Sequence, residues 1–230
     1  MCWSGGKDSA VCLYKVLQEK QYEVAYLLTT LNEKFKRVSM HGVREELLDE
    51  QARQIGIPLV KIYVSEGTNA EYERKMEETL LKFKKAGIEH VIFGDIFLED
   101  LRKYRENNLA KVGMKGIFPL WKLDTTKLLK DFLFLKFKTI ICCTNDAYLG
   151  EEWAGRVIDE KFLSELPSNA DACGENGEYH TFCFEGPLFK QPIKVKGGEK
   201  IYKPLEIKTA DDCNMPRSQT KGFWFCELIC

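Results

Sequence analysis

The chain has 230 residues, a length that suits one α/β domain carrying a smaller second unit. Its 34 basic and 35 acidic residues nearly cancel, so it lacks the positive field that non-specific nucleic-acid binding needs, and nucleic acid is not the expected partner. Hydrophobic residues make up 44% of the chain but never form an apolar run of about 18 residues, which excludes a membrane span and indicates a globular protein.

Nine cysteines are scattered along the chain without a Cys-x-x-Cys pair, so a zinc site is not expected. A glycine pair stands at positions 5 and 6, where a cleaved signal segment would keep its charged start. We therefore expect a cytoplasmic protein whose cysteines are mostly buried apolar side chains. Cys2 lies in an expected strand immediately before a glycine-rich loop, which argues against a role as nucleophile.

Along the first 145 residues, short β-rich runs alternate with amphipathic helical stretches, a pattern typical of a parallel sheet with crossover helices. The expected helices are 10–17, 48–55, 72–83, 98–112 and 125–134, the last with Asp124 as its N-cap. The expected strands are 23–30, 59–64, 90–93, a short one near Ile117, and 138–144. These elements predict an α/β fold with a doubly wound, mainly parallel sheet of five or six strands.

After Asn145 the content of glycine, proline and acidic residues rises. We expect residues 167–177 to form an ordered loop and residues 199–207 and 222–229 to form strands. The chain is therefore predicted to divide into a larger α/β domain, residues 1–148, and a smaller C-terminal α+β domain, residues 149–230.

The segment Ser4-Gly5-Gly6-Lys7-Asp8-Ser9 stands between an expected strand and an expected helix. Such a junction holds phosphate, because glycines let the backbone come close, several N–H groups converge and the helix dipole favours negative charge. Neither the dinucleotide fingerprint nor the Walker motif is present. The six residues instead match the signature of the PP-loop ATP pyrophosphatases, and the chain resembles that superfamily with its adenine nucleotide alpha hydrolase-like fold.

The resemblance implies that ATP is attacked at its α-phosphorus and that pyrophosphate leaves. It also implies that the loop holds the phosphates, with Lys7 active in catalysis and Asp8 orienting Mg²⁺, and that adenine and ribose lie along the second strand. The nucleotide-binding residues implied in this way are Ser4, Gly5, Gly6, Lys7, Asp8, Ser9, Leu28, Thr29, Thr30 and Gly94.

Four further segments narrow the resemblance. They are Ser39-Met40-His41-Gly42, the stretch from Phe93-Gly94-Asp95 to Arg102, Pro119-Leu120-Trp121, and the stretch from Cys173-Gly174-Glu175 to Phe182. Together with the loop they resemble the diphthine-ammonia ligase family from residue 4 to about residue 190. The resemblance implies an enzyme that joins ammonia to a carboxylate, in the best understood branch that of diphthine on elongation factor 2, while ATP becomes AMP and pyrophosphate.

The same segments supply the expected catalytic side chains. Ligands of a doubly wound sheet lie beyond the carboxyl ends of its strands, which is where Asp95 is expected as a second magnesium or substrate ligand. An arginine of the following helix, Arg102 or its neighbour Arg105, suits a carboxylate or the α-phosphate. Glu175 and Glu178 suit the capture of ammonium, and His180 suits the removal of its proton.

Two departures from the family pattern bear on the substrate. Only three residues precede the loop, so the first strand is either short or continued by residues before Met1. Asn176 and His180 stand where the diphthamide-making branch usually carries glycine and glutamate. The acceptor is therefore left open between diphthine and a small molecule, and a homo-oligomer is left open as well.

Two other functions are consistent with the loop. One is a PP-loop enzyme that modifies tRNA or another nucleic acid, and the other is a module that senses ATP without turnover. A basic RNA-binding face or a persulfide-carrying cysteine near the pocket would favour the first. The absence of pyrophosphate release with ATP, magnesium, ammonia and candidate carboxylates would favour the second.

Overall fold

A computed structural model describes residues 1–38, 41–65, 69–205 and 220–229. The helices in these ranges are α1 Lys7–Glu19, α2 Glu45–Ile55, α3 Asn69–Lys85, α4 Glu99–Lys111, α5 Thr125–Phe134 and α6 Glu160–Glu165, with a 3-10 turn at Glu151–Trp153. The strands are β1 Leu27–Asn32, β2 Arg37–Val38, β3 Leu59–Val64, β4 His90–Ile92, β5 Lys115–Ile117, β6 Lys138–Asn145, β7 Tyr179–Glu185, β8 Lys196–Pro204 and β9 Gly222–Ile229.

The N-terminal part contains two pairs of parallel strands. β1 pairs with β3 along its whole length, and β2 folds back antiparallel against the end of β1. β4 pairs with β5. The crossovers between successive parallel strands are helical, as the alternating pattern of the sequence predicts.

Residues 1–3 lie between the two parallel pairs. The Trp3 N–H donates to the Leu28 carbonyl of β1 at 2.8 Å, and the Cys2 N–H donates to the Ile92 carbonyl of β4 at 2.9 Å. The bridge between Cys2 and Leu28 is parallel. The first three residues therefore take a strand position that hydrogen-bonds on both sides, and the phosphate loop follows at the carboxyl end of that position.

The C-terminal part contains an antiparallel sheet with the strand order β7-β6-β9-β8. The prediction of a strand at 138–144 is confirmed, but its placement as the last strand of the parallel sheet is wrong, because β6 pairs antiparallel with β7 and β9. Every residue of β6 after Lys138 is buried. The four apolar residues at its centre, 140–143, suit a central strand of either kind of sheet, so the local sequence does not reveal the partners.

Most other predicted elements are found, with boundaries that depend on the local signal. α5 is confirmed at Thr125–Phe134, where the Asp124 carboxylate accepts a hydrogen bond from the Lys127 N–H at 2.6 Å. The strand expected at 23–30 begins only at Leu27. The strand expected at 199–207 is β8, and residues 206 and 207 lie outside the described residues.

Two apolar clusters form the core. The larger runs from Trp3 through α1, α2 and α5 to Leu228 of β9, so the N- and C-terminal parts share one interior. The smaller packs α3 and α4 against β4, and its members are Leu80, Val91, Phe93, Leu109, Val112 and Met114. Helices therefore lie against both faces of the parallel strands.

All seven cysteines of the described ranges are free thiols, and six of them are buried. This confirms the expectation that they are mostly apolar filling of the core. Across the ranges that the structure covers, no helix combines the length and the hydropathy needed to cross a membrane.

An ion triad joins the segment around β2 to β9. The Glu227 carboxylate accepts from Arg37 Nη2 at 2.7 Å and from Arg44 Nε at 2.6 Å. The carboxylate is 19% exposed, so solvent screens it only in part.

We expect Glu227→Gln to lower the free energy of unfolding in urea by about 1 kcal/mol, because two charge-assisted hydrogen bonds lose their ionic character. The loss should shrink in high salt. Glu78→Gln is the control, since its partner Arg74 is 59% exposed and their pair should contribute only a few tenths of a kcal/mol. Equal losses in the two variants would contradict the role of the triad.

Candidate active site

A cavity of about 1000 Å³ opens at the carboxyl ends of the parallel strands. Its wall is formed by the phosphate loop, the end of β1, α3, the segment after β4, α4, the loop before β7, and β7 itself. This volume is at the upper end of what small-molecule and cofactor sites occupy. The predicted site residues that line it are Ser4, Gly6, Lys7, Asp8, Ser9, Leu28, Thr29, Thr30, Gly94, Asp95, Glu175 and His180.

The phosphate loop leads directly into α1. Gly6 is the N-cap residue, and as a glycine it has no side chain to cap the helix. The Ser4 hydroxyl accepts from the Gly6 N–H and lies 3.2 Å from the Ser9 hydroxyl. A glycine at the N-cap leaves room for an anion to approach the first turn and the positive end of the helix dipole.

Lys7 and Asp8 form a close ion pair at the floor of the cavity. Lys7 Nζ lies 2.8 Å and 3.0 Å from the two carboxylate oxygens of Asp8, and it also donates to the Cys173 carbonyl. Burial lowers the pKa of Lys7, but the negative charge of Asp8 leads the effects that outweigh burial, and the pKa is raised. Lys7 is therefore a permanent cation, while the Asp8 side chain keeps 29% of its surface exposed toward the cavity.

β7 supports the loop from the C-terminal part of the chain. The Lys7 N–H donates to the Thr181 hydroxyl at 3.0 Å, and the Cys183 N–H donates to the Gly5 carbonyl at 2.8 Å. Thr181 also lines the cavity. Thr181 was not predicted as a site residue, and its signal in the sequence is that of a polar residue within the largely apolar segment that becomes β7.

Asp95 and Arg105 form the second ion pair of the cavity. Arg105 Nε and Nη2 donate to the two Asp95 oxygens at 2.6 Å and 3.1 Å, and the guanidinium lies 4.5 Å from the centre of the Phe93 ring. Gly94 comes so close to α1 that an added Cβ would stand 3.2 Å from the Asp8 carbonyl carbon. The segment after β4 is thereby fixed against the phosphate loop.

Arg102 lies outside the cavity, although it shares α4 with Arg105. Its guanidinium packs over the rings of Phe118 and Trp121 at 4.7 Å and 4.6 Å, and its Nε donates to Glu106. Of the two arginines named from the sequence, Arg105 is therefore the one that faces the cavity.

Glu175 enters the cavity from the loop before β7. Its Oε1 accepts from the Ile96 N–H at 2.7 Å and from the Phe97 N–H at 3.4 Å. Burial raises the pKa of Glu175 to about 7; these backbone hydrogen bonds oppose the shift, and the charges of Asp8 and Asp95 add to it. The carboxyl group therefore exchanges a proton near neutral pH.

Glu178 lies beneath the same loop and does not line the cavity. It is 1% exposed, and its carboxylate accepts from the Asp171 N–H and from both the N–H and the side-chain amide of Asn176, at 2.9 to 3.0 Å. Its hydrogen-bonding capacity is used to fold the loop that carries Glu175.

His180 lies beside His41 at the wall of the cavity. The two ring centres are 4.5 Å apart, and His180 Nε2 is a buried atom without a hydrogen-bond partner in the described part of the chain. Burial, the His41 ring and the Lys7 charge together lower the pKa of His180 well below its usual range. The imidazole is therefore neutral near pH 7, and its ring nitrogens can share hydrogen bonds without carrying charge.

The end of β1 supplies a second buried polar atom without a hydrogen-bond partner among the described residues. Thr29 is 3% exposed, lines the cavity, and its hydroxyl has no hydrogen-bond partner among the described residues. Buried polar atoms normally have partners, so the Thr29 hydroxyl and His180 Nε2 are available to bind water or a ligand in the cavity. Ser39 and Met40, part of the segment that ends at His41, lie outside the described residues.

Other cavity residues were not recognised in the sequence. Asn69, Tyr72 and Met76 of α3 face the cavity across from the phosphate loop. In the sequence, Tyr72 and Met76 fit the apolar stripe of the expected helix 72–83, and this pattern does not predict a site. His90 lies away from this wall, and the centre of its ring is 5.5 Å from that of Tyr22.

Two family models match the chain: the diphthamide synthase N-terminal domain over residues 1–116, and the diphthamide synthase C-terminal domain over residues 124–211. The chain belongs to the diphthamide synthase family. The phosphate loop lies in the first matched region, and Glu175 and His180 lie in the second. The cavity is thus built from both family domains.

Curated relatives agree with the family models. The chain is 27% identical to the diphthine–ammonia ligase of Mus musculus over 225 residues, covering 86% of this chain and 82% of the relative. It is 27% identical to that of Danio rerio over 86% of each chain, and 29% identical to that of Rattus norvegicus over 86% of this chain and 82% of the relative. Each of these alignments covers most of both chains.

Proposed function

We propose that this chain is a diphthine–ammonia ligase that activates a carboxylate with ATP and converts it into an amide. The observation that carries the proposal is the phosphate loop at a helix start with a glycine N-cap, on the floor of a cavity large enough for a nucleotide, in a member of the diphthamide synthase family. A carboxylate oxygen attacks the α-phosphorus and pyrophosphate leaves. Ammonia then attacks the acyl carbon, AMP leaves, and the nitrogen loses a proton.

In this proposal, five strand positions act as one doubly wound sheet in the order β3, β1, residues 1–3, β4 and β5. The hydrogen bonds of residues 1–3 to β1 and β4 support this arrangement. The nucleotide then lies across the carboxyl ends of the strands, with phosphates on Ser4–Ser9 and with adenine and ribose along Leu28–Thr30 and Gly94. We also propose that residues 1–148 and 149–230 form the nucleotide and acceptor domains.

Lys7 and the N–H groups of the loop stabilise the charge that develops on the leaving pyrophosphate. The residues at the floor of the cavity supply only some of the ligands that Mg²⁺ needs. The described residues contain no group of three or more His, Cys, Asp or Glu that could hold an ion alone, but Mg²⁺ is commonly held by one or two carboxylates and the phosphates of the substrate. Asp8 is the exposed carboxylate, and Asp95, held by Arg105, is the second choice.

The acceptor and ammonia occupy the part of the cavity near β7. Arg105 lies where it can hold a carboxylate, whereas Arg102, the other arginine named for this role, lies outside the cavity. Glu175 binds ammonium or takes its proton, because its pKa lies near neutrality. His180, named from the sequence as the base, has a lowered pKa and fits better as a neutral hydrogen-bond partner of the acceptor, and Glu178 positions the loop that carries Glu175.

The test is a reaction with ATP, Mg²⁺, ammonium and elongation factor 2 that carries diphthine. We expect AMP and pyrophosphate in equal amounts, formed only when acceptor and ammonium are both present, and a new amide on the acceptor. Small carboxylates and transcribed tRNA serve as competing acceptors. ADP as the product would overturn the proposal, as would turnover that needs tRNA.

We expect kcat/KM for ammonia to rise through about pH 7 in the wild type, because the Glu175 carboxylate must be ionised, and this step to be absent in Glu175→Gln. Rates are compared at constant free ammonia, since ammonia itself is released from ammonium as the pH rises. Glu178→Gln is the control: it should be slower without losing the pH step. A step that persists in Glu175→Gln would contradict the role of Glu175.

A stability measurement checks the same group independently. The folded-state pKa of Glu175 is raised above its ordinary value of 4.5, so the folded protein binds more protons than the unfolded chain between about pH 4.5 and 7. The free energy of unfolding of the wild type, relative to Glu175→Gln, should therefore fall as the pH rises through this window.

A further inference from the structure

We propose that Gln51 is a positioning residue that holds the Gly5–Gly6 peptide of the phosphate loop with its N–H directed into the cavity; the inference rests on the proposed function. Gln51 lies on α2, is fully buried, and does not line the cavity. A completely buried glutamine is rare enough to need a hydrogen-bonded explanation.

The side-chain amide of Gln51 joins three parts of the molecule. Its Oε1 accepts from the Trp3 indole N–H at 2.9 Å, and its Nε2 donates to the Gly5 carbonyl at 2.9 Å and to the Cys183 carbonyl at 2.6 Å. The indole can only donate and the two carbonyls can only accept, so just one orientation of the amide satisfies all three. Both hydrogens of Nε2 are then used.

The Gly5 carbonyl that Gln51 holds belongs to the same peptide as the Gly6 N–H, the group proposed to face an anion in the cavity. The Gly5 carbonyl accepts from Gln51 Nε2 and also from the Cys183 N–H. In a trans peptide the N–H points opposite to the carbonyl. Fixing the Gly5 carbonyl toward α2 therefore aims the Gly6 N–H the other way, where it meets the Ser4 hydroxyl on the cavity wall.

The loop needs such an anchor because glycine stands on both sides of this peptide. Glycine places little restriction on backbone rotation, so the peptide could flip at low cost. The flipped peptide would turn a carbonyl oxygen toward the phosphates and remove a donor that stabilises the leaving pyrophosphate. Gln51 opposes the flip from outside the cavity, without touching nucleotide.

The decisive variant is Gln51→Met, which keeps the length of the side chain and removes its hydrogen bonds. Gln54→Met is the matched control. Gln54 lies one turn further along α2, is 6% exposed, and bonds to Gln191 and Glu50 but not to the loop. Both variants lose buried hydrogen bonds on the same helix, and only the first frees the Gly5–Gly6 peptide.

The measurements are the Kd values of ATP and pyrophosphate by calorimetry, kcat and KM for pyrophosphate release, and Tm. We expect Gln51→Met to weaken pyrophosphate binding by about tenfold or more and to lower kcat by a similar factor, while Gln54→Met lowers Tm and leaves both unchanged. If Gln51 had only a structural role, Tm would fall in both variants. The molecules that remain folded would then bind ATP and pyrophosphate with unchanged Kd values.

Gln51→Glu covers the case in which Gln51→Met does not fold. A neutral carboxyl group donates one hydrogen bond to a carbonyl, so the affinity of Gln51→Glu for pyrophosphate should lie between that of the wild type and that of Gln51→Met. The affinity should weaken as the pH rises, because the ionised carboxylate would face two carbonyl oxygens. If the wild type binds no ATP, the proposed function fails and this inference with it. If the wild type binds ATP and the folded Gln51 variants bind it equally well, only this inference is overturned.

Discussion

Asp8→Ala is expected to reduce the rate of pyrophosphate release by about a thousandfold or more. A loss of this size is expected when a variant removes a group that stabilises developing charge and also helps to hold a metal ion. Asp8 is the exposed acid at the floor of the cavity, and its carboxylate is also the counter-ion of the buried Lys7. Its loss therefore removes a catalytic group and leaves a cation without its main partner.

Asp8→Asn separates these two effects. The asparagine oxygen still accepts a hydrogen bond from Lys7, so the stability loss should be smaller than in Asp8→Ala, while turnover should stay close to that of the alanine variant. Asp159→Asn is the control, because Asp159 caps α6 and asparagine is an equally good N-cap. Turnover in Asp8→Asn within a few fold of wild type would exclude an essential charge at this position.

Gly5→Ala is expected to lower the free energy of unfolding by about 2 to 4 kcal/mol and to abolish ATP binding. Gly5 has φ +79°, a conformation that costs an alanine about 1 to 2 kcal/mol. A Cβ at this position would stand 2.6 Å from Leu48 Cδ2 and 2.7 Å from Gln51 Oε1, so overpacking adds to the backbone strain.

Gly87→Ala is the matched control for this substitution. Gly87 has φ +84°, close to that of Gly5, but an added Cβ there meets nothing within 4 Å. It should show the backbone cost alone, about 1 to 2 kcal/mol by chemical denaturation, with unchanged ATP affinity. Equal stability losses at the two positions would show that the contact of the loop with α2 contributes nothing.

Structural features that depend on only a few neighbouring residues could be predicted from the sequence. The six-residue loop gave the phosphate site of the proposal, and Asp124 gave the start of α5. Gly94 and Asp95 follow β4 at the carboxyl edge, as the rule for parallel sheets predicts. These features depend on local backbone chemistry, which one segment carries by itself.

Features that depend on distant partners could not be predicted. The apolar run of β6 does not indicate that its neighbours are β7 and β9, and nothing local to α4 separates Arg105, which faces the cavity, from Arg102. Glu178 looks like a catalytic acid beside Glu175, yet backbone donors of its own loop occupy it.

Gln51 was overlooked although a signal existed. It follows Leu48 by three positions and Leu47 by four, so it falls on the apolar stripe of α2, where a polar residue is unexpected. A polar side chain on a buried helical face predicts an internal hydrogen-bond partner. The sequence does not tell that this partner is the phosphate loop.

The support of the loop by β7 has a consequence for biosynthesis. The loop is translated well before β7, because 174 positions separate Lys7 from Thr181, whose hydroxyl helps to hold the loop together with the Cys183 amide. A nascent chain that has not yet delivered β7 therefore lacks a finished nucleotide-binding loop, and competence for the reaction arises only after β7 has been made.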